Sequence, residues 1–291
     1  MAPIITTLSD DGADNIKTMK LYTNVERIKN ELKFRNMLSS EFIDPIALSE
    51  LDSMHYMGNS AIQNIVQAMN NPGSSSKVLD IGSGFGGPAR VLSATTQCTT
   101  VALELQQDIH EMAEYLTKRC NLDNFVKHKQ GDILSFDLDT LGGGASSFDG
   151  VISFLVFLHI PEKIPLLERC AKMLKPGGIL FVEDYFLRSP LSVSEEKSLL
   201  EDVFAKDLPT REEYISHLEA SGFHKVQFID KSSEWTSYVS ERLGAFVAKR
   251  DKFVKVHGEP TYVGLLHFYK AVAALFGGGN LGGVRIIAEK K

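Results

Sequence analysis

Apolar positions early in the chain fall three and four residues apart. Leu21, Val25, Ile28 and Leu32 form one series, which predicts a helix within Ile16 to Leu38. Ile62, Ile65, Val66 and Met69 form another and predict a helix from Asn59 to about Met69. The stretch from Asn70 to Ser76, with its Pro72-Gly73 pair, then breaks the pattern. Beyond it short apolar runs alternate with helical ones. Lys77–Ile81, Thr99–Leu103, Val126–Gln130, Phe148–Ser153, Ile179–Glu183 and Val226–Ile229 read as strands. Asp108–Arg119, Glu162–Leu174 and Thr210–Ser221 read as helices, the last opened by a Thr210/Glu213 capping box and closed by Gly222. Such alternation predicts a parallel sheet covered on both faces. Two more helices, about Ser233–Val256 and Pro260–Phe276, and a glycine-rich loop precede a last strand, Val284–Ala288. Residues 231–279 are too many for a loop and are expected to form a helical lid. The expected division is a mobile tail at 1–15, an N-terminal helical cap at 16–73 and a main domain at 74–291.

Composition narrows the class. The chain has 291 residues, 43% of them hydrophobic, with no long apolar run and no signal-like start. These features predict a soluble globular protein without a membrane span. A net charge of -6 offers no basic footprint for nucleic acid, and Lys249-Arg250-Asp251-Lys252 reads as a solvated helix face. Cys98, Cys120 and Cys170 are odd in number and widely spaced, which fits reduced thiols in a cytoplasmic protein and no metal site. Whether the protein is a monomer or a homodimer is left open.

The chemistry is concentrated after the first strand. Lys77-Val78-Leu79-Asp80-Ile81 ends in four glycines within six residues, Gly82, Gly84, Gly86 and Gly87, and Pro88 then suits a first helical turn. Glycines allow positive φ and let a ligand lie against bare main chain. Gly82-x-Gly84-x-x-Gly87, with Glu104 downstream for a ribose hydroxyl, satisfies the dinucleotide pattern. Asp80 argues for another ligand. A pyrophosphate gains nothing from a carboxylate inside the strand, whereas a cationic amino-acid moiety does.

Val78-Leu79-Asp80-Ile81-Gly82-Ser83-Gly84-x-Gly86 closely resembles the first motif of class I S-adenosylmethionine-dependent methyltransferases. The resemblance implies an α/β fold, a seven-stranded Rossmann-like sheet with its last strand antiparallel, flanked here by N-terminal helices and a lid between strands six and seven. It implies S-adenosyl-L-methionine as cofactor and S-adenosyl-L-homocysteine as product. It assigns Asp80, Gly82, Ser83, Gly84 and Gly86 to the donor. Glu104 with Leu105 would hold the ribose, and Asp132 with Ile133 would meet the adenine. Leu174-Lys175-Pro176-Gly177-Gly178 matches the family's turn before strand five. Because ligands bind at the carboxyl ends of parallel strands, Ser153 is expected at the same crevice.

Methyl transfer from a sulfonium is an in-line displacement, so the protein mainly supplies alignment and electrostatics. Ser153 to Pro161, with His159, resembles the corresponding stretch of the small-amine N-methyltransferases, the sarcosine/dimethylglycine and phosphoethanolamine group. Those enzymes often carry an acid four residues before the histidine; this chain has Leu155 there. Asp184-Tyr185 resembles their aspartate-tyrosine pair after strand five, and His55-Tyr56 their N-terminal tyrosine segment. His159 and Tyr56 are therefore the expected catalytic residues. His55, Tyr56, His159, Asp184, Tyr185, Trp235 and Tyr238 are the expected acceptor contacts, with Tyr262 and Arg285 as further ones. The expected activity is methyl transfer to a small polar acceptor, first an amine nitrogen. The alternatives are a sterol-like carbon (favoured by the apolar run Phe154–Phe157), a sulfur or an oxygen, and a non-catalytic cofactor-binding or interaction protein; an NAD oxidoreductase is more distant.

Overall fold

The computed structural model describes residues 25–291. The expected tail and the first part of the first predicted helix lie outside the described residues. Three helices come first, α1 (Val25–Phe34), α2 (Pro45–Asp52) and α3 (Asn59–Ala68). Then follow β1 (Lys77–Ile81), α4 (Gly87–Thr96), β2 (Thr99–Glu104), α5 (Gln107–Arg119), β3 (Val126–Gln130), β4 (Phe148–Phe154), α6 (Lys163–Met173) and β5 (Leu174–Leu187). The chain continues through α7 (Val193–Asp202), α8 (Arg211–Ala220), β6 (Phe223–Asp230), α9 (Ser232–Ala248), α10 (Arg250–His257), α11 (Glu259–Gly278) and β7 (Leu281–Lys290).

The seven strands form one sheet in the order β3-β2-β1-β4-β5-β7-β6. β1 through β5 are parallel neighbours, and β7 runs antiparallel between β5 and β6. The chain winds outward to one side of β1 and then, from β4, to the other, and this switch between the two parallel strands opens a crevice at their carboxyl ends. Alternation along each strand decides what packs where. Leu79, Val151, Leu180 and Val182 face α6 and α8 through Leu166, Cys170, Tyr214 and Leu218. Val78, Ile152 and Phe181, on the other face, meet Ile62 and Ile65 of α3 and Val91 and Leu92 of α4.

Three elements depart from expectation. β5 begins at Leu174, so Lys175–Gly178 is an irregular part of the strand, with Gly177 at φ +76° and a register shift opposite Phe148/Gly150. α7 was not anticipated, although Ser192 and Glu195 form a capping box as complete as the one at Thr210. The segment between β6 and β7 holds three helices, not two. α9 ends at Lys249, where polar residues replace the apolar stripe, and α10 returns to α1, placing His257 2.8 Å from Glu31.

This segment is seated on the sheet by Trp235, which is fully buried. Its ring lies so close to Gly283 of β7 that a Cβ there would sit 2.1 Å from Cε3. Gly283→Ala should therefore cost about 1–3 kcal/mol, the range for overpacking a filled core. A urea denaturation midpoint equal to wild type would refute that account of the seat.

Candidate active site

Asp80 and Ile81 carry β1 into the crevice, and the glycine turn bends beneath it. Gly82 has φ +68°, and a Cβ on it would lie 2.4 Å from Val156, so both backbone and space require glycine. The turn is held from below by Arg90 of α4. This fully buried guanidinium donates to the Phe85 carbonyl at 2.7 Å, to Thr117 Oγ1 at 3.0 Å and to the Asp52 carboxylate. At the end of β2, Glu104 accepts from Gly84 N at 2.8 Å and Gln106 N at 2.9 Å.

A cavity opens above the turn, between Gly82 and Glu104-Leu105 on one side and Asp132-Ile133 on the other, with His159 at its edge. A recess continues from Gly82 past Ser83, Asp80, His55 and Asp52. Four buried polar atoms around it lack a protein partner: Asp80 Oδ2, Ser83 Oγ, Asp52 Oδ1 and His55 Nδ1. Burial, helped by Glu104, pushes the Asp80 carboxyl up to about 7. Burial likewise pushes Asp52 up to about 6, opposed by Arg90. Unsatisfied polar atoms are costly, and these four suit the charged end of an amino acid.

A second pocket lies across His159. Most of its wall is apolar, from Phe154, Leu155, Leu158, Val203, Phe268 and Val272. Its polar groups are His159, Tyr56, Tyr185, Tyr269 and Arg242. His159 stands on a single 3-10 turn, Phe157–His159. Lys163 fixes that turn by donating Nζ to the carbonyls of Phe157 (2.8 Å) and Ile160. His159 Nδ1 lies 3.1 Å from the Phe204 carbonyl, and burial pushes its pKa down to about 4. The imidazole is therefore neutral near pH 7. The Tyr56 and Tyr185 phenols hydrogen-bond to each other, and Tyr56 packs edge-on against Trp235 at 4.9 Å.

The family described as a methyltransferase domain matches residues 79–182, the part of the chain that carries this turn and both strand ends. Over these residues the chain is similar to a methyltransferase domain, in keeping with its sheet order and glycine turn. Its relatives divide. Sterol 24-C-methyltransferase of Clavispora lusitaniae is 31% identical over 121 residues, 42% of this chain and 31% of that protein. Phosphoethanolamine N-methyltransferase of Plasmodium falciparum is 28% identical over 199 residues, 65% of this chain and 69% of that one. The chain thus spans about a third of the length of the sterol relatives it matches. Among solved structures, Haemonchus contortus phosphoethanolamine N-methyltransferase 2 in complex with S-adenosyl-L-methionine is similar in fold, with TM-score 0.78 and 19% identity over 97% of this chain and 60% of that chain.

Within the methyltransferase domain the expected donor residues gather unevenly. Asp80, Gly82, Ser83, Gly84, Glu104, Leu105, Asp132 and Ile133 border the first cavity or its recess. Gly86 instead caps α4 beside His128 and Arg90. Ser153 corrects its expectation: it is fully buried and donates to the Ile81 carbonyl at 2.9 Å, joining β4 to β1. The acceptor set needs more correction. Asp184 points to the sheet face opposite Tyr185, because neighbours on a strand diverge; there it is fully buried near Lys163 and Tyr214. His55 borders the donor recess, stacked 4.6 Å from Phe154. Trp235 and Tyr238 stand behind Tyr56 without lining the cavity, Tyr238 at 5.4 Å. Arg285 pairs with Glu183 at 2.6 Å, and Tyr262 stacks on Phe246 at 5.0 Å, both outside it. Arg242 and Lys163 were not singled out in the sequence. Trp235, Val239, Arg242 and Phe246 are spaced three and four apart on α9, so an arginine interrupting that apolar stripe was the available signal.

The Asp80 environment generates a pH dependence. Its proton is retained up to about pH 7, and only the carboxylate attracts a cationic ligand. Affinity for S-adenosylhomocysteine should therefore be level above that pH and fall below it, approaching tenfold per unit. Calorimetry showing the same affinity at about pH 6 and about pH 8 would remove Asp80 from the charge balance of binding.

Proposed function

We propose that the protein transfers the methyl group of S-adenosylmethionine to a small polar acceptor, first an amine nitrogen. The observation that carries this reading is His159, which borders both cavities and so stands where donor and acceptor would meet. The unpartnered polar atoms of the recess fit the amino-acid end of the donor. Asp80, Ser83, Gly84 and Asp52 would hold that end. Gly82, Glu104 and Leu105 would hold the ribose, and Asp132 and Ile133 the adenine. When bound, the donor supplies a methyl group on a positively charged sulfur. No metal-ligating cluster of three His, Cys, Asp or Glu side chains occurs among the described residues.

The side chains suggest how the acceptor is handled. An imidazole with its pKa near 4 is a weak base and stores no proton near neutral pH; with Nδ1–H given to the Phe204 carbonyl, its Nε2 is the accepting side of the ring and would orient an amine through that amine's own N–H. This suits a primary or secondary amine that arrives deprotonated. Leu155, in place of an acid, supplies no carboxylate to help. Tyr56 and Tyr185 form the polar edge, and the helices at 231–279 act as a lid that excludes water. Of the cap expected at 16–73, the described part from residue 25 onward acts as the cap, and 74–291 as the catalytic domain. Among the described residues no helix is long and apolar enough to cross a membrane. Three buried free thiols support a reducing, cytoplasmic location. The acidic net charge favours a small-molecule partner over nucleic acid. A second reading, a sterol-like carbon acceptor, is favoured by the apolar wall and by the sterol relatives.

A screen of amines, thioethers and sterols with labelled donor separates the two readings; turnover of sterols alone would sink the first. His159→Ala should lower kcat about a hundredfold, within the usual range for one acid–base or orienting group, with donor affinity changed only a few-fold. With donor saturating at every pH, so that the Asp80 dependence of binding drops out, the wild-type kcat should show no step near pH 6.5, the ordinary histidine range, because burial holds His159 down at about 4. Wild-type turnover in the alanine variant would take His159 out of the mechanism.

A further inference from the structure

Lys163 is a buried charge that lines neither cavity. It opens α6, is 5% exposed, and gives its Nζ to two carbonyls of one turn, Phe157 at 2.8 Å and Ile160. A lysine that bonds the last carbonyls of a helical turn ordinarily keeps its head in solvent. Here the head is sealed, and among the described residues no carboxylate forms an ion pair with it. Burial pulls its pKa down, and Asp184, Asp207 and Glu162 hold it up from farther away. On stability alone, an apolar residue of similar volume would serve as well or better.

The two carbonyls flank His159. The far side of the same turn is held by the loop after α7. Lys206 N donates to the Leu158 carbonyl at 3.2 Å, and the Phe204 carbonyl accepts from His159 Nδ1 at 3.1 Å. Phe204 has φ +58°, and Leu155, where β4 gives way to the turn, has φ +54°. Left-handed backbone at residues other than glycine stores about 1–3 kcal/mol each and persists only where the surroundings impose it. Strain, a sealed ammonium and a bonded ring nitrogen thus converge on one short turn.

We propose that Lys163 is a positioning residue for methyl transfer: by fixing the backbone on both sides of His159, it keeps the imidazole on the Phe204 carbonyl and its Nε2 toward the acceptor. Lys163 touches no reactant and acts only through His159. Asp184, expected among the acceptor contacts, serves this unit from behind. Its carboxylate accepts from Tyr185 N at 2.8 Å and is foremost among the acids that support the Lys163 charge. This rests on the preceding reading, in which His159 meets the acceptor.

The test uses the protein loaded with S-adenosylhomocysteine. Nitrogen-15 spectra of the histidine rings separate a protonated ring nitrogen from a bare one, and the signals missing in His159→Gln assign the ring of interest. The wild type should show Nδ1 protonated and Nε2 bare. Lys163→Met should show the two tautomers averaged, with the other histidine signals and a cooperative melt retained. Turnover is then measured with sarcosine and with O-phosphoethanolamine. Lys163→Met should lower kcat about ten- to a hundredfold, the scale of a small misplacement of a reacting group, with S-adenosylhomocysteine affinity changed only a few-fold. In a His159→Ala background the same substitution should cost nothing more. If Lys163→Met does not fold, Lys163→Arg, whose planar head cannot copy both bonds, goes through the same cycle. A fixed Nδ1–H ring in the folded Lys163 variant, or losses that multiply in the double variant, would overturn the proposal. If neither amine is methylated, the ring signature alone decides it. Wild-type turnover in His159→Ala, with the ring signature as expected, would sink the preceding reading instead.

Discussion

Arg90 ties together the parts of the molecule that must stay in register. A charged group sealed from water has to be satisfied by what surrounds it, and here the surroundings are three different segments: the glycine turn through the Phe85 carbonyl, α2 through Asp52, and α5 through Thr117 and the Ala113 carbonyl. Removing one partner of such a pair generally costs more than the pair contributes, because the other charge is left stranded. The turn is thus held from beneath through both terminal nitrogens of Arg90, and the N-terminal helices are fixed to it by the same side chain. What α2 contributes is both a counter-ion below and an unpartnered carboxylate oxygen above, facing the donor recess.

Much of this could be read from the chain before its structure. The strand–acid–glycine succession at Val78–Gly87 is legible because glycine, proline and a strand-borne carboxylate each have few uses, and the three coincide. Alternation of periods marked most of the sheet. Less visible were features that depend on which face a side chain takes. Asp184 and Tyr185 are adjacent in sequence and opposite in space. Reading them as a pair ignored the two-residue repeat of the strand that holds them. Ser153 was placed by its position at a strand end, but its hydroxyl is consumed by the neighbouring strand. Arg242 escaped notice because an arginine within a helix usually lies in solvent. Only the fold shows that its face of α9 is the inner one.

The two relatives also become intelligible in physical terms. The methyltransferase-domain match covers the strand-and-turn portion, residues 79–182. The acceptor cavity is built largely from elements outside that portion, α7, α9, α11 and the segment before α3. Similarity in the matched residues consequently says little about what the second cavity admits. Its character comes from the cap and the helices between β6 and β7.

Residues 52–56 have one more consequence. Asp52 and His55 edge the donor recess, Met54 borders both recess and acceptor cavity, and Tyr56 is bonded to Tyr185 at the acceptor wall. Five consecutive residues therefore form a common gatepost for the two compartments. Asp52 anchors it to Arg90 at one end and Tyr56 anchors it to Tyr185 at the other, so a displacement of this strip would be felt in both compartments at once.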